Sequence, residues 1–432
     1  DFSEHPDHKH VLVAFDLSPS DTASIDRNHV MGFATEQGSI NSHTVILARS
    51  LGIPAIVGLE GAVIDIKTLS DSILDGYTGK LILNPTKETV RDYKKRAQKR
   101  KIARKKLETL REAETTTTDG HHITLSANIE FTNELPMVKE SGAEGVGLFR
   151  TEFYLLEGGE MPGELAQAEV YTEVAKAMHP NQTIIRTLDA GGDKISAEPL
   201  AQPEPNPFLG WRGIRVSLTR KALFKEQLRA ILRASAHGKL GIMFPMVSGL
   251  REVRAAKEIL QIAMDELRKE NVSFDPNIEV GVMIEIPSAA MMANEIAREV
   301  DFFSIGTNDL IQYSLAVDRT NDKIAHLYNP THPGIIRSIR QVIVAAHKAG
   351  IHVGICGEMA GEPDFVPLLL GLGVDELSAS APLIPQVKYL IRRLKIEESR
   401  ALAEQALTMQ YSHEILEASR ALMQRVAPEI VN

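Results

Sequence analysis

The sequence predicts an α/β protein whose C-terminal part, residues 121–432, is a (β/α)₈ barrel. From residue 121 onward, eight short apolar runs alternate with amphipathic helical stretches. Most of the runs are almost continuously apolar, as in parallel strands that are covered on both faces. Eight such units over about 260 residues have the size and rhythm of a barrel. A doubly wound open sheet is the competing architecture, and the pattern favours the barrel.

The eight predicted barrel strands follow one another at regular intervals. In chain order they are residues 123–129, 145–150, 183–189, 241–247, 280–286, 301–307, 352–358 and 374–380. Amphipathic stretches at 164–179, 214–237 and 249–269 are predicted helices between the strands, and helices within 384–426 close the domain.

Residues 1–85 are predicted to form a separate small α/β domain. Four runs have the composition of strands, at 11–15, 29–35, 53–59 and 81–85. Between the second and third, residues 42–52 have helical spacing of their apolar side chains, and Gly52 is a suitable stop.

Residues 86–120 are predicted to be a helical linker. Ten of the sixteen residues from Arg91 to Lys106 are lysine or arginine. A solvated connecting helix is favoured over an RNA-binding helix, because few aromatic side chains interleave as stacking platforms. The threonine-rich segment 115–120 is predicted to interrupt the helical structure, and we place the domain boundary there.

Composition excludes several function classes. The net charge of −9 does not suit a nucleic-acid-binding protein. No apolar run approaches the ~18 residues needed to span a bilayer, and no signal peptide is recognisable at residues 1–10. The single cysteine, Cys356, allows no intrachain disulfide. We therefore expect a cytoplasmic protein without nucleic-acid or membrane partners.

Charged side chains gather at the predicted carboxyl ends of the barrel strands, where barrel enzymes carry their sites. Four of them are the arginines Arg150, Arg186, Arg212 and Arg319. Arginine binds carboxylate and phosphate oxygens through two parallel hydrogen bonds. These arginines therefore indicate a site for a small phosphorylated acid, although any one of them alone could be a surface ion pair.

Two carboxylates, Glu285 and Asp309, follow adjacent predicted strands. Oxygen ligands of this kind suit Mg²⁺, which prefers one or two carboxylates together with substrate phosphate. Asp309 could instead cap the helix that it precedes. Glu285 at the end of an apolar strand is harder to dismiss, because an unpaired buried carboxylate is costly. The pair predicts a metal site.

Cys356 and His43 each have two interpretations from the local sequence. Cys356 follows an apolar strand, so it is either an inert core thiol or a general acid or base at the barrel mouth. His43 lies between two hydroxyl residues where a helix is predicted to begin. It is either a packing or capping residue or a phosphoryl acceptor, since helix N-termini favour phosphate and neutral imidazole is nucleophilic.

Several motifs together resemble Enzyme I of the bacterial phosphotransferase system, a family of phosphoenolpyruvate–protein phosphotransferases. The motifs, in order, are SHTVILARSLGIPAIVG (42–58), GVGLFRTEFYLL (145–156), IIRTLDAGGDK (184–194), NPFLGWRGIR (206–215), GVMIEIPSAA (281–290), FFSIGTNDLIQYSLAVDR (302–319) and GICGEMAG (354–361). The resemblance runs from about Val11 to the C-terminal helices.

The resemblance implies a role for each matching residue. His43 matches the histidine that is phosphorylated, so residues 1–85 would be a swivelling phosphohistidine domain. Glu285 and Asp309 match magnesium ligands, and Cys356 matches the residue that protonates the departing enolate. The remaining matches are to residues that hold phosphoenolpyruvate: Arg150, Arg186, Arg212, Asn308 and Arg319. The partners implied are phosphoenolpyruvate and pyruvate, a histidine-containing phosphocarrier protein, and a second copy of the chain through the barrel domain.

Two departures from the family pattern bear on onward transfer. The loop before His43 reads GSINSH (38–43), where the family usually has GGRTSH. A helical carrier-binding subdomain, which precedes this region in the family, is not found in the sequence. Transfer of phosphate from phosphoenolpyruvate through His43 to the carrier is the leading prediction. The alternatives are a regulatory phosphoenolpyruvate-binding protein of the nitrogen-type system with altered or no onward transfer, and a related dikinase or synthase, which would need an ATP-binding domain.

Overall fold

The computed structural model describes residues 9–17, 29–37, 53–59, 71–152, 154, 161–191, 204, 206–321 and 323–430. The chain divides into two compact units, Asp1–Arg104 and Lys105–Asn432. Both units mix helices and strands, and each is described by itself below. Among the described residues, no helix combines the length and the apolarity needed to cross a membrane.

The first unit contains a parallel sheet and a separate hairpin. Its strands are β1 (His10–Ala14), β2 (Val30–Thr35), β3 (Ala55–Ile56), β4 (Ser72–Asp75) and β5 (Lys80–Leu83). β2 lies between β1 and β3, and all three are parallel. Phe33 of β2 is fully buried in the small core of this sheet.

Four of these strands match the sequence predictions, and β4 was not predicted. β4 is short and pairs with β5 in antiparallel fashion. Its turn is held by the carboxylate of Asp75, whose Oδ1 accepts hydrogen bonds from the backbone N–H groups of Tyr77 and Thr78 at 3.0 and 3.3 Å. The helix predicted at 42–52 lies outside the described residues.

Helix α1 (Lys87–Glu108) is the basic segment of the sequence. It begins after Thr86, whose side-chain oxygen accepts the backbone N–H of Thr89 at 3.1 Å, a typical N-cap hydrogen bond. The prediction that this segment is helical is confirmed.

The second unit is a closed barrel of eight parallel strands, as predicted. The strands are β6 (Thr124–Ile129), β7 (Val146–Arg150), β8 (Thr183–Arg186), β9 (Leu240–Phe244), β10 (Glu279–Ile284), β11 (Phe302–Ile305), β12 (His352–Ile355) and β13 (Glu376–Ser380). Each strand pairs with its neighbours in sequence, and β13 pairs with β6 to close the barrel.

Helices connect and surround the strands. They are α2 (Leu135–Ser141), α3 (Glu164–Met178), α4 (Ile214–Thr219), α5 (Lys221–Ser235), α6 (Leu250–Lys269), α7 (Pro287–Met291), α8 (Ala293–Ile296), α9 (Thr307–Leu315), α10 (Pro333–Ala349), α11 (Val366–Leu372), α12 (Ile384–Ile391), α13 (Ile396–Thr408) and α14 (Ser412–Val426). The stretch predicted as one helix at 214–237 is two helices, because Arg220 leaves the helical conformation with φ −97° and ψ 57°.

The strands divide their side chains between two environments, as the period of two requires. On β6, Leu125, Ala127 and Ile129 join the large core between strands and helices. Ser126 and Asn128, which alternate with them, face the barrel interior. This alternation sets which residues can reach the barrel mouth.

The threonine-rich segment 115–120 is packed on the barrel unit and is not a free linker. Thr115 and Thr117 are buried, and the backbone N–H of Thr118 donates to the Leu394 carbonyl at 2.9 Å. The carboxylate of Asp119 accepts the backbone N–H of Ile396 at 2.9 Å, at the start of α13. The polar composition of this segment predicted a break between domains. In the structure, its hydroxyl and carboxylate groups form hydrogen bonds within the barrel unit instead.

Candidate active site at the barrel mouth

Two arginines end adjacent strands at the barrel mouth. Arg150 and Arg186 are the last residues of β7 and β8, and they are paired in register. Arg150 Nη1 donates to Glu130 Oε1 at 2.6 Å, and Arg186 Nη2 donates to Glu152 Oε1 at 3.0 Å. Arg186 Nη1 also lies 3.1 Å from Asp189 Oδ2, so both arginines are held by carboxylates at the mouth.

Arg186 is the more deeply buried of the two. Its side chain is 11% exposed, and its Nε has no hydrogen-bond partner among the described residues. Burial alone would lower the pKa of Arg186. The carboxylates of Glu152 and Asp189 raise this pKa by more than burial lowers it, so the guanidinium stays charged. A buried, charged donor with a free N–H is suited to an anionic ligand.

Arg212 reaches the mouth from the loop between β8 and α4. Its Nε and Nη2 donate to Asp189 Oδ1 and Oδ2 at 3.2 and 2.8 Å. Nη2 also lies 3.5 Å from Asp309 Oδ2, and Nη1 donates to the Tyr313 hydroxyl at 3.3 Å. The Arg212 guanidinium thus connects the carboxylates of Asp189 and Asp309.

These three carboxylates, Asp189, Glu285 and Asp309, offer oxygens that all lie within 4.8 Å of one another, and all three residues are buried. Asp309 Oδ1 has no hydrogen-bond partner among the described residues. Burial, and then the negative charges of Asp189 and Asp309, raise the pKa of Glu285 well above its usual value. Crowded, buried oxygen ligands with an unpaired lone pair fit a divalent cation.

The backbone around Glu285 fixes its carboxylate. Oε1 accepts the backbone N–H of Met246 at 2.6 Å, and Met246 adopts a left-handed conformation with φ 58°, which is strained for a residue with a side chain. On the other side, a Cβ at position 306 would lie 3.0 Å from Glu285 Oε2, so glycine there leaves room for the carboxylate.

Arg319 and Asn308 complete the polar rim. Arg319 Nη2 lies 3.8 Å from Asp309 Oδ1, beyond hydrogen-bond distance, and Arg319 Nη1 is buried without a partner among the described residues. Asn308 Oδ1 accepts the backbone N–H of Glu358 at 2.9 Å, which fixes the orientation of the amide beside the mouth.

Cys356 lies just after β12, where its side chain enters the barrel interior beneath this rim. It is 3% exposed and clusters with Leu148, Ile184, Met283 and other interior apolar residues. Burial raises the pKa of the Cys356 thiol to about 11, although Ser304 and the nearby arginines act in the opposite direction. The thiol is therefore protonated at neutral pH, as a proton donor must be.

The structure brings eight of the nine residues singled out from the sequence to one mouth. These are Arg150, Arg186, Arg212, Glu285, Asn308, Asp309, Arg319 and Cys356. His43 lies outside the described residues. The prediction missed Asp189, the last residue of the predicted strand 183–189, to which it gave no role. Its place at a strand end was the available signal.

Comparisons with known proteins identify two family models that match this chain. Residues 104–396 match a family model described as PEP-utilising enzyme, PEP-binding domain, and residues 6–79 match one described as PEP-utilising enzyme, mobile domain. A citrate lyase structure from Burkholderia xenovorans aligns over 70% of this chain and 90% of the lyase chain, at 13% sequence identity. Its TM-score of 0.40 is too low to support an argument.

Curated relatives are much more similar to this chain. The phosphoenolpyruvate-protein phosphotransferase of Staphylococcus carnosus is 45% identical over 407 residues, which cover 94% of this chain and 71% of the relative. The protein of the same name from Haemophilus influenzae is 46% identical, covering 94% of this chain and 70% of the relative. Since both the long family match and these relatives agree, the chain belongs to the phosphoenolpyruvate–protein phosphotransferase family of PEP-utilising enzymes.

Proposed function

We propose that this chain transfers the phosphoryl group of phosphoenolpyruvate to its own His43 and then to a histidine-containing phosphocarrier protein, releasing pyruvate. The observation that carries the proposal is the convergence of Arg186, Arg212 and Arg319 on three buried carboxylates at the barrel mouth. Arg150, at the end of the neighbouring strand, adds a fourth positive charge. A site with this much positive charge beside a cation-binding cluster suits a small acid that carries both a carboxylate and a phosphate.

Phosphoenolpyruvate would be held by Arg150, Arg186, Arg212, Asn308 and Arg319. Arg186 Nε and Arg319 Nη1 are buried and have no partner in the part of the chain that the structure describes, so they are available for substrate oxygens. Arg150 and Arg212 are paired with carboxylates, and they would supply charge close to the phosphate. Fixed charges of this kind stabilise the oxygens of the transferring group without reorganisation.

Glu285 and Asp309 would hold Mg²⁺, with Asp189 as a third oxygen donor beside them. When bound, the ion would neutralise negative charge on the phosphate oxygens and on the enolate. Within the chain, Met246 N–H and Gly306 keep Glu285 oriented toward this position.

The reaction would proceed in two steps. A ring nitrogen of His43 attacks phosphorus in line, so an N–P bond forms as the P–O bond to the enolate breaks. The Cys356 thiol then gives its proton to C3 of the enolate, which yields pyruvate and leaves a thiolate. A thiol with a pKa of about 11 is protonated before the step, as the mechanism requires.

The domain division proposed for this cycle is a swivelling phosphohistidine domain at 1–85, a helical linker at 86–120 and the barrel at 121–432. The threonine-rich end of the linker is hydrogen-bonded to the barrel unit. We therefore place the hinge before this segment, at an end of α1.

The proposed partner and assembly are those that the resemblance to the family implies. The relatives are named as protein phosphotransferases, which favours transfer to a protein over the regulatory, non-transferring alternative. We propose a dimer through the barrel domain, and a cytoplasmic location in which a catalytic free thiol stays reduced.

The experiment is intact-mass analysis of the purified chain after incubation with Mg²⁺ and phosphoenolpyruvate, at alkaline pH to preserve phosphohistidine. One phosphate is expected on the parent chain and on the control His10→Ala, a change at an exposed strand end. None is expected on His43→Ala. Phosphate on His43→Ala at the parent level would refute His43 as the acceptor. Adding a phosphocarrier protein then tests onward transfer.

A further inference from the structure

The hydrogen-bonded ladder between β12 and β13 ends before Cys356. The register of these strands covers two residue pairs and stops at Ile355 and Leu377. On the opposite side, β12 pairs with β11 over four positions, and the Cys356 backbone N–H extends that ladder by donating to the Ile305 carbonyl oxygen at 3.2 Å. The Cys356 backbone is therefore held by β11, while its own carbonyl oxygen needs a donor from elsewhere.

Asn128 of β6 supplies this donor. Its Nδ2 donates to the carbonyl oxygens of Cys356 and Ser378 at 3.0 and 3.2 Å. Since β13 lies between β6 and β12 in the barrel, the side chain reaches past the neighbouring strand to the next one. A single amide thus ties β12 to β13 just beyond the last residues that the two strands pair.

The Ser378 hydroxyl fixes which end of the amide faces the carbonyl groups. This hydroxyl donates to Asn128 Oδ1 at 2.6 Å. Carbonyl oxygens accept hydrogen bonds but cannot donate them, so the NH₂ group of Asn128 has to face the carbonyls of Cys356 and Ser378. The reverse orientation would set the amide oxygen against two other oxygens, so the side chain is held in one orientation.

Strand β7, on the other side of β6, leaves room for this hydroxyl. A Cβ at position 147 would lie 2.6 Å from Ser378 Oγ, closer than real side chains approach. Gly147 therefore allows Ser378 to stay buried beside Asn128. Residues of β6, β7 and β13 thus contribute together to the support of one carbonyl group on β12.

The position of the Cys356 thiol depends on this backbone. Cysteine has a single side-chain torsion between its backbone and its sulfur, so a displacement of the backbone displaces the sulfur as well. Cys356 is buried, and its Sγ lies 3.8 Å from the Ile305 carbonyl oxygen, to which it can donate a weak hydrogen bond. Asn128 and Ile305 therefore hold the residue from opposite sides.

We propose that Asn128 is a positioning residue that keeps the Cys356 thiol directed at C3 of the enolate. The inference rests on the proposed function, in which the S–H bond of Cys356 breaks as a C–H bond forms at C3, leaving a thiolate. Transfer of this kind requires the donor to lie within hydrogen-bond reach of its target. Asn128 acts through the carbonyl group of Cys356 and not on the substrate.

A neutral amide suits this position better than a cation would. Lysine or arginine could also donate to two carbonyl oxygens, but a positive charge beside the sulfur would lower the pKa of the thiol and favour the thiolate. Burial instead raises the pKa of the Cys356 thiol to about 11. Asn128 therefore holds the backbone of the proton donor without promoting loss of its proton.

The test is Asn128→Leu, which keeps a similar volume and adds no charge but cannot form a hydrogen bond with Cys356 or Ser378. Pyruvate formed in a single turnover by the full chain with Mg²⁺ is measured by rapid quench over a range of phosphoenolpyruvate concentrations. The maximum rate should fall about tenfold or more, because small displacements of a reacting group are costly. The half-saturating concentration should stay within about twofold, because the substrate contacts are unchanged.

Proton delivery itself is followed by repeating the measurement in D₂O. Because a misplaced thiol makes protonation the slowest step, the ratio of the maximum rates in H₂O and D₂O should rise in Asn128→Leu. A maximum rate at the parent level would overturn the proposal. A lower rate with a weaker half-saturation and an unchanged isotope ratio would show a purely structural role and would also overturn it.

Gln182→Leu is the matched control. Gln182 precedes β8 at the amino end of the barrel, and its amide donates to Glu279. The same replacement there should leave the maximum rate and the isotope ratio at the parent values, and an equal loss would overturn a role specific to Asn128. If Asn128→Leu does not fold, Ser378→Ala decides. Losing the hydroxyl that orients the amide should lower the maximum rate about threefold or more, and an unchanged rate would overturn the proposal.

Cys356→Ala separates the two proposals. Loss of pyruvate formation in Cys356→Ala together with a parent-level rate in Asn128→Leu would reject the positioning role and keep Cys356 as the proton donor. Parent-level pyruvate formation in Cys356→Ala would reject both.

Discussion

Asp189 and Arg212 form a two-point ion pair at the barrel mouth, with Nε 3.2 Å from Oδ1 and Nη2 2.8 Å from Oδ2. The same aspartate belongs to the carboxylate cluster that fits a divalent cation. A cation that draws the charge of Asp189 toward itself would leave more of the Arg212 charge for an anion. We therefore expect metal and phosphoenolpyruvate to bind with positive coupling, each raising the affinity for the other.

Arg212→Lys should raise the KM for phosphoenolpyruvate about tenfold, a loss of about 1.4 kcal/mol in binding. Lysine keeps the charge but cannot make the two-point contact with Asp189, nor bind phosphate bidentately. Steady-state kinetics with a phosphocarrier protein measure the change. Arg254→Lys, at an exposed ion pair with Glu299, is the control and should behave like the parent. An unchanged KM in Arg212→Lys would remove Arg212 from substrate binding.

Glu285→Gln should raise the melting temperature in EDTA and abolish the stabilisation by Mg²⁺. Without a cation, three buried carboxylates within 4.8 Å repel one another, and removing one charge relieves the repulsion. In the parent chain, Mg²⁺ at about 100 times its Kd should add about 2.7 kcal/mol of stability. Thermal unfolding with and without Mg²⁺ measures both effects.

Glu258→Gln, an exposed position on α6, should show the parent's response to Mg²⁺. A Mg²⁺ shift of parental size in Glu285→Gln would show that Glu285 is not a ligand.

The alkylation of Cys356 by iodoacetamide should accelerate about tenfold per pH unit between pH 7 and 10, without a plateau. Only the thiolate reacts, and burial raises the pKa of this thiol to about 11, so the thiolate fraction keeps growing over the whole range. Mass spectrometry follows the rate, and circular dichroism confirms that the fold persists. A plateau above about pH 8.5 would indicate an ordinary thiol and would contradict burial as the cause.

Lys388→Met should destabilise the barrel unit by about 2–4 kcal/mol, with the KM for phosphoenolpyruvate unchanged. Lys388 is buried, and its Nζ donates to the carbonyl oxygens of Arg111, Ala113 and Gly142 at 3.1, 3.1 and 2.7 Å. Methionine fills a similar volume but leaves three carbonyls without a donor. Urea unfolding measures the loss, and Lys395→Met, at an exposed lysine, should cost less than about 0.5 kcal/mol.

Much of the barrel could be predicted because its strands are local patterns. Each apolar run in the sequence became a strand within a few residues of its predicted ends, and the rule that sites lie at strand ends then selected Arg150, Arg186 and Glu285. β4 was missed because its four residues depend on a turn held by Asp75 and on pairing with β5, which no single-strand pattern shows.

The remaining features depend on contacts distant in sequence. Asp189 precedes Glu285 and Asp309 by roughly one hundred residues in the sequence. Only the closed barrel brings the three carboxylates together. The burial of segment 115–120 likewise depends on Leu394 and Ile396, so its polar composition could not reveal it. The function of His43 stays a prediction from the family motif, since that residue lies outside the described part of the chain.

The side chains of Glu376 and Ser378 occupy the space beside the glycine at position 147. A Cβ there would lie 2.7 Å from both Glu376 Oε1 and Ser378 Cβ, closer than real side chains approach. In homologous chains, a larger residue at position 147 should therefore be accompanied by smaller residues at both positions 376 and 378. Inheritance of the three positions should be correlated even though they lie on different strands.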